Sequence, residues 1–465
     1  MKMKTLLYLI FVLALTSCSK EDTGEVTAAE LIRSITAAPQ SENALRVDIH
    51  LDFKKAVSYQ IEYWKAGDEA SVQTTPLSEP VTSDKCTLIL LKAQSDYNFR
   101  IHASSDNQTA KSDVYQFTTS PLPSRISSPS LLNDKMDKPL PGYIMLTRND
   151  KPGIVMLTDT EGEVVWYELF DTPIRVATFD THTNTISCIV DGNPKHPYAG
   201  NEVIVIDLYG KVLLDKVITD LLAHHEVRRL PNGDLLMVCF KPGTFDLTAQ
   251  GGGKAETVMG DGLVIMDMQG NVKWEWDCFG EVNPADDPNI MGNVEMLNMP
   301  YRQDWLHANS ADMDVEGNLY ITFNWTSEMW KIDAKTKKVI YRLGVGGNVD
   351  QPEGSFMSGV HCVSAQSKNQ VLVFDNGMTS HQSRGLLFTV NESAGKAELT
   401  NNITLPSEYS SQFQGSVELI NENLYIFGPT FSSAVLFTDA KGNILRTIKT
   451  MHQSYRAEYI PQINL

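Results

Sequence analysis

The chain has 465 residues, with 57 Asp and Glu against 39 Lys and Arg, for a formal charge of −18. That length allows two or three domains, each with a sizeable core. The acidity argues against nucleic acid as a partner, since phosphate binding needs a basic footprint, and it fits a soluble exported protein kept apart by like charge.

The first residues read as a targeting signal. Lys2 and Lys4 precede an apolar run, Leu6 to Leu15, that is too short to cross a bilayer as a helix. Leu15-Thr16-Ser17-Cys18 resembles a bacterial lipobox, in which the cysteine is lipidated. Ser19-Lys20-Glu21-Asp22 looks like the export tag of Bacteroidetes surface lipoproteins. Residues 1–18 are therefore expected to be a lipoprotein signal peptide and 19–27 a tether. The expected location is the outer membrane, on its cell-surface or periplasmic face, with the membrane touched only through lipid on Cys18. Cys86, Cys188, Cys239, Cys278 and Cys362 remain; none has CxxC spacing, so a thiol-based metal or redox site is not expected.

Residues 28–121 alternate apolar and polar in short runs, as in Leu45–Leu51 and Tyr59–Trp64. Leu91 stands six residues before Tyr97, which opens another alternating run; this resembles the tyrosine corner of a fibronectin type III domain. A fibronectin type III-like β-sandwich is expected here. Residues 122–130, with Pro123 and neighbouring Pro121, read as a linker.

From 131 to 465 one strand-turn-strand unit recurs. An apolar strand ends in Asp-x-x-Gly at Asp159–Gly162, Asp207–Gly210, Asp267–Gly270 and Asp439–Gly442, with a variant at Asp333. The Asp starts a turn and the Gly supplies a positive φ. Each such pair is matched by a second hairpin, and about six four-stranded units fit. Repetition at this spacing means an all-β, six-bladed β-propeller. Tyr455–Ile460 is the expected final strand, closing the ring against Gly142–Met145.

Three of these hairpins begin with a histidine: His225, His307 and His361. Read as one structural address in three repeats, they would converge on the central funnel, with Asn309 two residues along on the same strand face. The residues that follow them, Glu226, Ala308 and Cys362, do not form a metal-tuning set, and no metal is expected. An imidazole can instead act as a nucleophile that splits a transfer into two steps, with neighbouring donors stabilising an anion in transit.

These motifs resemble the bacterial arylsulfate sulfotransferases that need no nucleotide sulfate donor. The markers are His225-x-Val-x-x-Leu-Pro-Asn-Gly233, Asp304-Trp305-Leu306-His307-Ala308-Asn309-Ser310, and His361 with Phe374-Asp375-Asn376-Gly377. Ser383-Arg384, Gly415-Ser416-Val417 and Tyr455-Arg456-Ala457-Glu458 add to them. The resemblance implies a six-bladed propeller that moves a sulfuryl group from a phenolic sulfate to an acceptor phenol by a ping-pong mechanism, without cofactor. It implies that His361 becomes sulfated, that His225 and His307 assist, and that Asn309 binds sulfuryl oxygens. Asn324 stands where the family has an arginine, and substrate contacts are expected from Asn324, Arg384, Ser416 and His224; either nothing replaces the missing cation, the favoured expectation, or Arg384 or Arg228 reaches in from a neighbouring blade. The partner expectations admit a homodimer. The competing expectation is a non-catalytic surface propeller that binds a glycan or a protein.

Overall fold

The computed structural model describes residues 24–106, 108–190, 199–218, 220–294 and 299–465. Cys18, the signal peptide and the tether up to residue 23 lie outside the described residues. Among the described residues no helix is long and apolar enough to cross a membrane.

The N-terminal unit is built on Val47–Lys65, a strand of 19 residues in which nearly every second side chain is buried, the period of a sheet with one covered face. Its first half pairs with Ile32–Pro39 and Val81–Leu88, its second half with Asp96–Ser105. The strand thus serves two sets of partners around one apolar core. Tyr97 Oη accepts the Lys92 N–H at 2.9 Å, tying the start of its strand to the preceding loop. The unit also grips its neighbour: Arg46 meets Glu168 at 2.7 Å, and Lys92 meets Asp159 and Glu163 at 2.7 and 2.6 Å.

The rest of the chain forms six antiparallel sheets around an axis. Blade 1 contains Tyr143–Arg148, Gly153–Asp159 and Val164–Phe170. Blade 2 contains Ile174–Asp180, Thr185–Val190, Glu202–Asp207 and Val212–Val217. Blade 3 contains Ala223–Arg229, Leu235–Phe245, Glu256–Met266 and Val272–Asp277. Blade 4 contains Ala308–Met313, Leu319–Phe323, Glu328–Ile332 and Val339–Gly344. Blade 5 contains Val360–Ala365, Gln370–Asp375, Arg384–Asn391 and Lys396–Thr404. Blade 6 contains Ser416–Asn421, Leu424–Gly428, Ala434–Asp439 and Ile444–Lys449. In blades 2 to 6 the first strand in sequence is the innermost, and each touches its neighbours round the ring.

Two exchanges close the ring. Ala457–Ile460, at the C-terminal end, pairs with Tyr143–Arg148 as the innermost strand of blade 1. Ser130–Asp134 adds to the outer edge of blade 6, against Ile444–Lys449. Blade 1 is thereby completed to four strands and blade 6 extended to five, which locks both ends of the propeller chain into the ring. Adjacent blades pack through large apolar side chains: Trp276 of blade 3 meets Trp330 of blade 4 edge-on, with ring centres 6.2 Å apart.

The Asp-x-x-Gly turns have one mechanism. Asp159 Oδ1 accepts the N–H of Glu161 and of Glu163, at 3.0 and 2.8 Å, and Gly162 takes φ +100°. Asp207, Asp267 and Asp439 repeat these bonds. At Asp333 the turn is one residue longer, and the positive φ falls on Lys337.

Candidate active site

The innermost strands of blades 3, 4 and 5 share a local fault: their ladders with the second strand slip between Ala223 and Val227, Ala308 and Ser310, and Val360 and Val363. Such bulges re-aim side chains and are common beside active sites. His225 and His307 also take positive φ, 58° and 59°, a conformation that costs a non-glycine residue about 1–3 kcal/mol.

The bulges revise the sequence expectation of one shared address. The last ladder residues before the hairpin turns are Arg229, Met313 and Ala365. The equivalent position earlier in each strand is His225, Asn309 and His361. His307 sits two residues further out, ahead of its strand. The histidines come together even so. The rings of His225 and His307 have centres 5.0 Å apart, and His361 acts electrostatically on His225, as His307 does on His361.

Each of the three rings is held through the same atom. His361 Nδ1 lies 2.5 Å from Asn376 Oδ1. The Asn376 amide is fixed by its Nδ2, which donates to the carbonyls of Ser411 and Gln414 at 2.6 and 2.8 Å, so its oxygen must face the ring and Nδ1 must carry the proton. His307 Nδ1 lies 2.6 Å from the buried carboxylate of Asp304. His225 Nδ1 lies 2.7 Å from His224 Nδ1. In all three the Nε2 is the nitrogen left for a ligand.

The electrostatics differ from ring to ring. Burial, then the neighbouring His307, pushes His361 down to about 3, so it is neutral at pH 7 and its Nε2 carries a lone pair. Burial also holds His225 well below the usual histidine range, helped by His224, His307, His361 and Arg456. Burial works against a charged His307 too, but the Asp304 carboxylate outweighs it and holds this ring above the usual value. The cluster thus contains neutral imidazoles beside one ring poised to be cationic.

Asn309 and Asn324 are both buried next to His361. Asn309 Nδ2 donates to the Val360 carbonyl at 3.3 Å, and Asn324 Nδ2 is 3.2 Å from His361 Nδ1. Asn309 keeps one further N–H for a ligand.

Three expected substrate contacts are corrected. Arg384 is bound to the buried Asp375 by two bonds, 2.8 and 2.6 Å, and donates to the carbonyls of Gly354 and Phe356, which commits its guanidinium to that loop. Ser416 Oγ donates to Ala457 O and accepts Ala457 N–H, both at 3.0 Å, stitching blade 6 to the closing strand. His224 is 0% exposed, stacked on Phe240, and cannot reach a substrate. Arg228 faces Asp312 and Glu226.

Sequence reasoning missed the cation that lies against the cluster. Arg456 donates to Glu226 Oε2 at 2.7 Å and to the main-chain carbonyls of His225 and Asn309 at 3.1 and 3.0 Å. It therefore ties the closing strand to the bulges of blades 3 and 4. Its signal was present in the terminal Tyr455–Glu458 motif. Asp304, three residues before His307, and Asn376, within Asp-Asn-Gly, were also inside quoted motifs without a role assigned. Trp325 carried no signal; its ring packs on His307 at 4.9 Å and lines, with Tyr301 and Asp287, a cleft of about 630 Å³. Among the described residues no group of three or more His, Cys, Asp or Glu side chains is arranged to hold a metal.

No curated protein matches the chain. Among solved structures it is similar to a protein of unknown function from Bacteroides caccae, at 10% identity and TM-score 0.45, covering 69% of this chain and 100% of that one. It is also similar to an auxiliary nutrient binding protein from Bacteroides thetaiotaomicron, at 8% identity and TM-score 0.37, covering 93% and 91%. These likenesses are too distant to bear on activity. The family described as Arylsulfotransferase (ASST) matches residues 130–458, a span that takes in the whole histidine cluster and the start of the closing strand. The chain belongs to the arylsulfotransferase family.

Proposed function

We propose that this aryl sulfotransferase works without a nucleotide donor, by a ping-pong mechanism through a sulfohistidine at His361. The observation that carries the reading is the anchoring of His361 Nδ1–H on Asn376, which leaves a neutral ring with its Nε2 lone pair free. That lone pair attacks sulfur. The bond from sulfur to the phenolic oxygen breaks, and its electron pair leaves with the phenolate, which takes up one proton. In the second half an acceptor phenol gives up a proton, its oxygen attacks the same sulfur, and the N–S bond breaks to restore His361.

Charge on the sulfuryl oxygens is met by His307, which Asp304 biases towards its cationic form, and by Asn309 as a neutral donor. This is how the chain dispenses with an arginine at position 324. Arg456 adds a positive field from below the bulges. His225 is the remaining imidazole and exchanges the proton of the phenol oxygen. The cleft beside Trp325 and Tyr301 suits an aryl ring on either donor or acceptor. The N-terminal unit is read as fibronectin type III-like, a reading supported by the bond to Tyr97 Oη. The anchor is lipid on Cys18, with the protein at the outer membrane; a Cys18→Ala chain should leave the membrane fraction.

The test is intact mass after incubation with an aryl sulfate in the absence of acceptor. One added sulfo group, lost on adding phenol and absent in His361→Gln, is the expected result. Transfer that persists in His361→Gln overturns the role of this residue. Binding of aryl sulfate with no transfer by the native chain would mean a binding propeller instead.

A further inference from the structure

Behind His225 stands a second, fully buried row of titratable groups that the sulfuryl chemistry does not touch. His225 Nδ1 is 2.7 Å from His224 Nδ1. On the far side of the same ring, His224 Nε2 is 3.3 Å from Asp261 Oδ1, ion-pair distance that a small turn of the carboxylate would align into a hydrogen bond. His224 and Asp261 are both 0% exposed. The His224 ring is held flat against Phe240, with centres 3.8 Å apart, and Phe240 is the ladder partner of Asp261 across blade 3. The first three strands of blade 3 therefore fix the whole row.

We propose that Asp261 and His224 form a proton wire that stores, between the two half-reactions, the proton His225 exchanges with the phenol oxygen. The row has two neutral-ring arrangements. With Asp261 ionised, His224 Nε2–H donates to the carboxylate and His224 Nδ1 accepts from His225 Nδ1–H, so His225 Nε2 offers a lone pair. With Asp261 protonated, its O–H donates to His224 Nε2 and His224 Nδ1–H donates to His225 Nδ1, so His225 Nε2 carries a proton. The two states differ by one proton. A proton reaching His225 Nε2 from the acceptor phenol moves Nδ1–H to His224 and Nε2–H to Asp261, and neither ring remains charged. The reverse passage supplies the phenolate that leaves in the donor half. Each ping-pong cycle empties and refills the store once.

The surroundings favour this division of labour. An imidazolium at His225 is opposed by burial and by His224, His307, His361 and Arg456, so that ring is a poor place to keep a proton. Asp261 is a good one: burial, then the charge of Asp304, pushes it up to about 7, against the pull of His307 and of the backbone N–H groups of His307 and Ala308. Cys278 and Tyr301 also face Asp261 and are held protonated by burial. His224 and Asp261 touch no substrate; they are positioning residues acting through His225.

The inference rests on the sulfotransferase reading, but one of its tests does not. In native protein with ¹⁵N-labelled histidine, His224 and His225 should exchange tautomers together, at the pH where the Asp261 carboxyl titrates. Independent titration, or no change in either ring, overturns the wire whether or not sulfuryl is transferred. In Asp261→Asn the store cannot fill. His225 should then stay in one tautomer, the near-neutral limb of the pH profile should vanish, and transfer from sulfo-His361 to phenol should slow about 10²-fold, with sulfation by an easily departing donor little changed. An unaltered pH profile in a folded Asp261→Asn protein refutes the proposal; if that variant does not fold, the native titration decides.

Discussion

Replacing Asp304 by Asn isolates the charge on His307. The amide has nearly the carboxylate's shape and can accept the same Nδ1–H through its oxygen, so the tautomer and the position of the ring are kept. What disappears is the negative charge 2.6 Å from Nδ1 at a site where Asp304 is 0% exposed. A hydrogen bond to a charged partner is worth about 1.5–3 kcal/mol against roughly 1 for a neutral one. At an effective dielectric of about 20 the lost Coulomb attraction is on the order of 4 kcal/mol before desolvation is counted. Even the smaller figure, about 1–2 kcal/mol, moves the histidine by about one pH unit. Burial, then opposed only by the weaker pull of Asp261, carries it down. The sign follows: His307 is cationic below its folded pKa, so activity that needs the cation fails as pH rises through that point. In Asp304→Asn the alkaline limb of the rate profile should shift to lower pH by about one unit or more, with turnover at neutral pH down about 10-fold to 100-fold and KM little changed. Initial rates on a chromogenic aryl sulfate, with phenol as acceptor, across the neutral range measure this. A variant whose alkaline limb coincides with that of the native enzyme would refute the assignment of the sulfuryl-facing charge to His307.

Further outcomes follow from the same geometry. His361 is neutral in the fold but protonates in the unfolded chain, so its depressed pKa makes stability fall as pH drops below the ordinary histidine value; His361→Gln should reduce that slope by about 1.4 kcal/mol per pH unit in urea titrations, and an unchanged slope would contradict a buried neutral ring. Arg384→Ala leaves Asp375 buried without its cation and should cost about 3 kcal/mol of stability, while the folded fraction still forms sulfo-His361 by mass; loss of sulfation in stable protein would restore Arg384 to the site. Arg456→Met strands Glu226 in the same way, and the double change with Glu226→Gln should recover melting temperature but not turnover. Asn324→Arg must fit a larger side chain where the amide is 2% exposed, costing about 1–3 kcal/mol with no gain in rate; faster turnover on poor donors would show that the native site lacks a cation.

The blades and their turns were legible because they are local. Asp159 and Gly162 make their turn within one hairpin, and the alternating strands beside it carry their own period, so a sequence window contains all the physics involved. The presence of His225, His307, Asn309 and His361 at the inner ends of hairpins was legible for the same reason. Their alignment was not. It depends on where each ladder slips, and the two-residue offset of His307 comes from bulges set by packing between blades 3, 4 and 5. Arg384 and Arg456 show the limit most clearly. Both are arginines inside the quoted motifs, and the motifs alone do not say which of them lies against the histidines. Arg384 lies opposite Asp375 in its own blade and is neutralised there. Arg456 reaches Glu226 and the His225 carbonyl, some 230 residues earlier, only because the last strand closes the ring beside the first blade. A contact of that range exists only once the ring is closed, so the sequence by itself determined the blades and the histidines at their inner ends, and the tertiary structure decided how those rings align and which arginine lies against them.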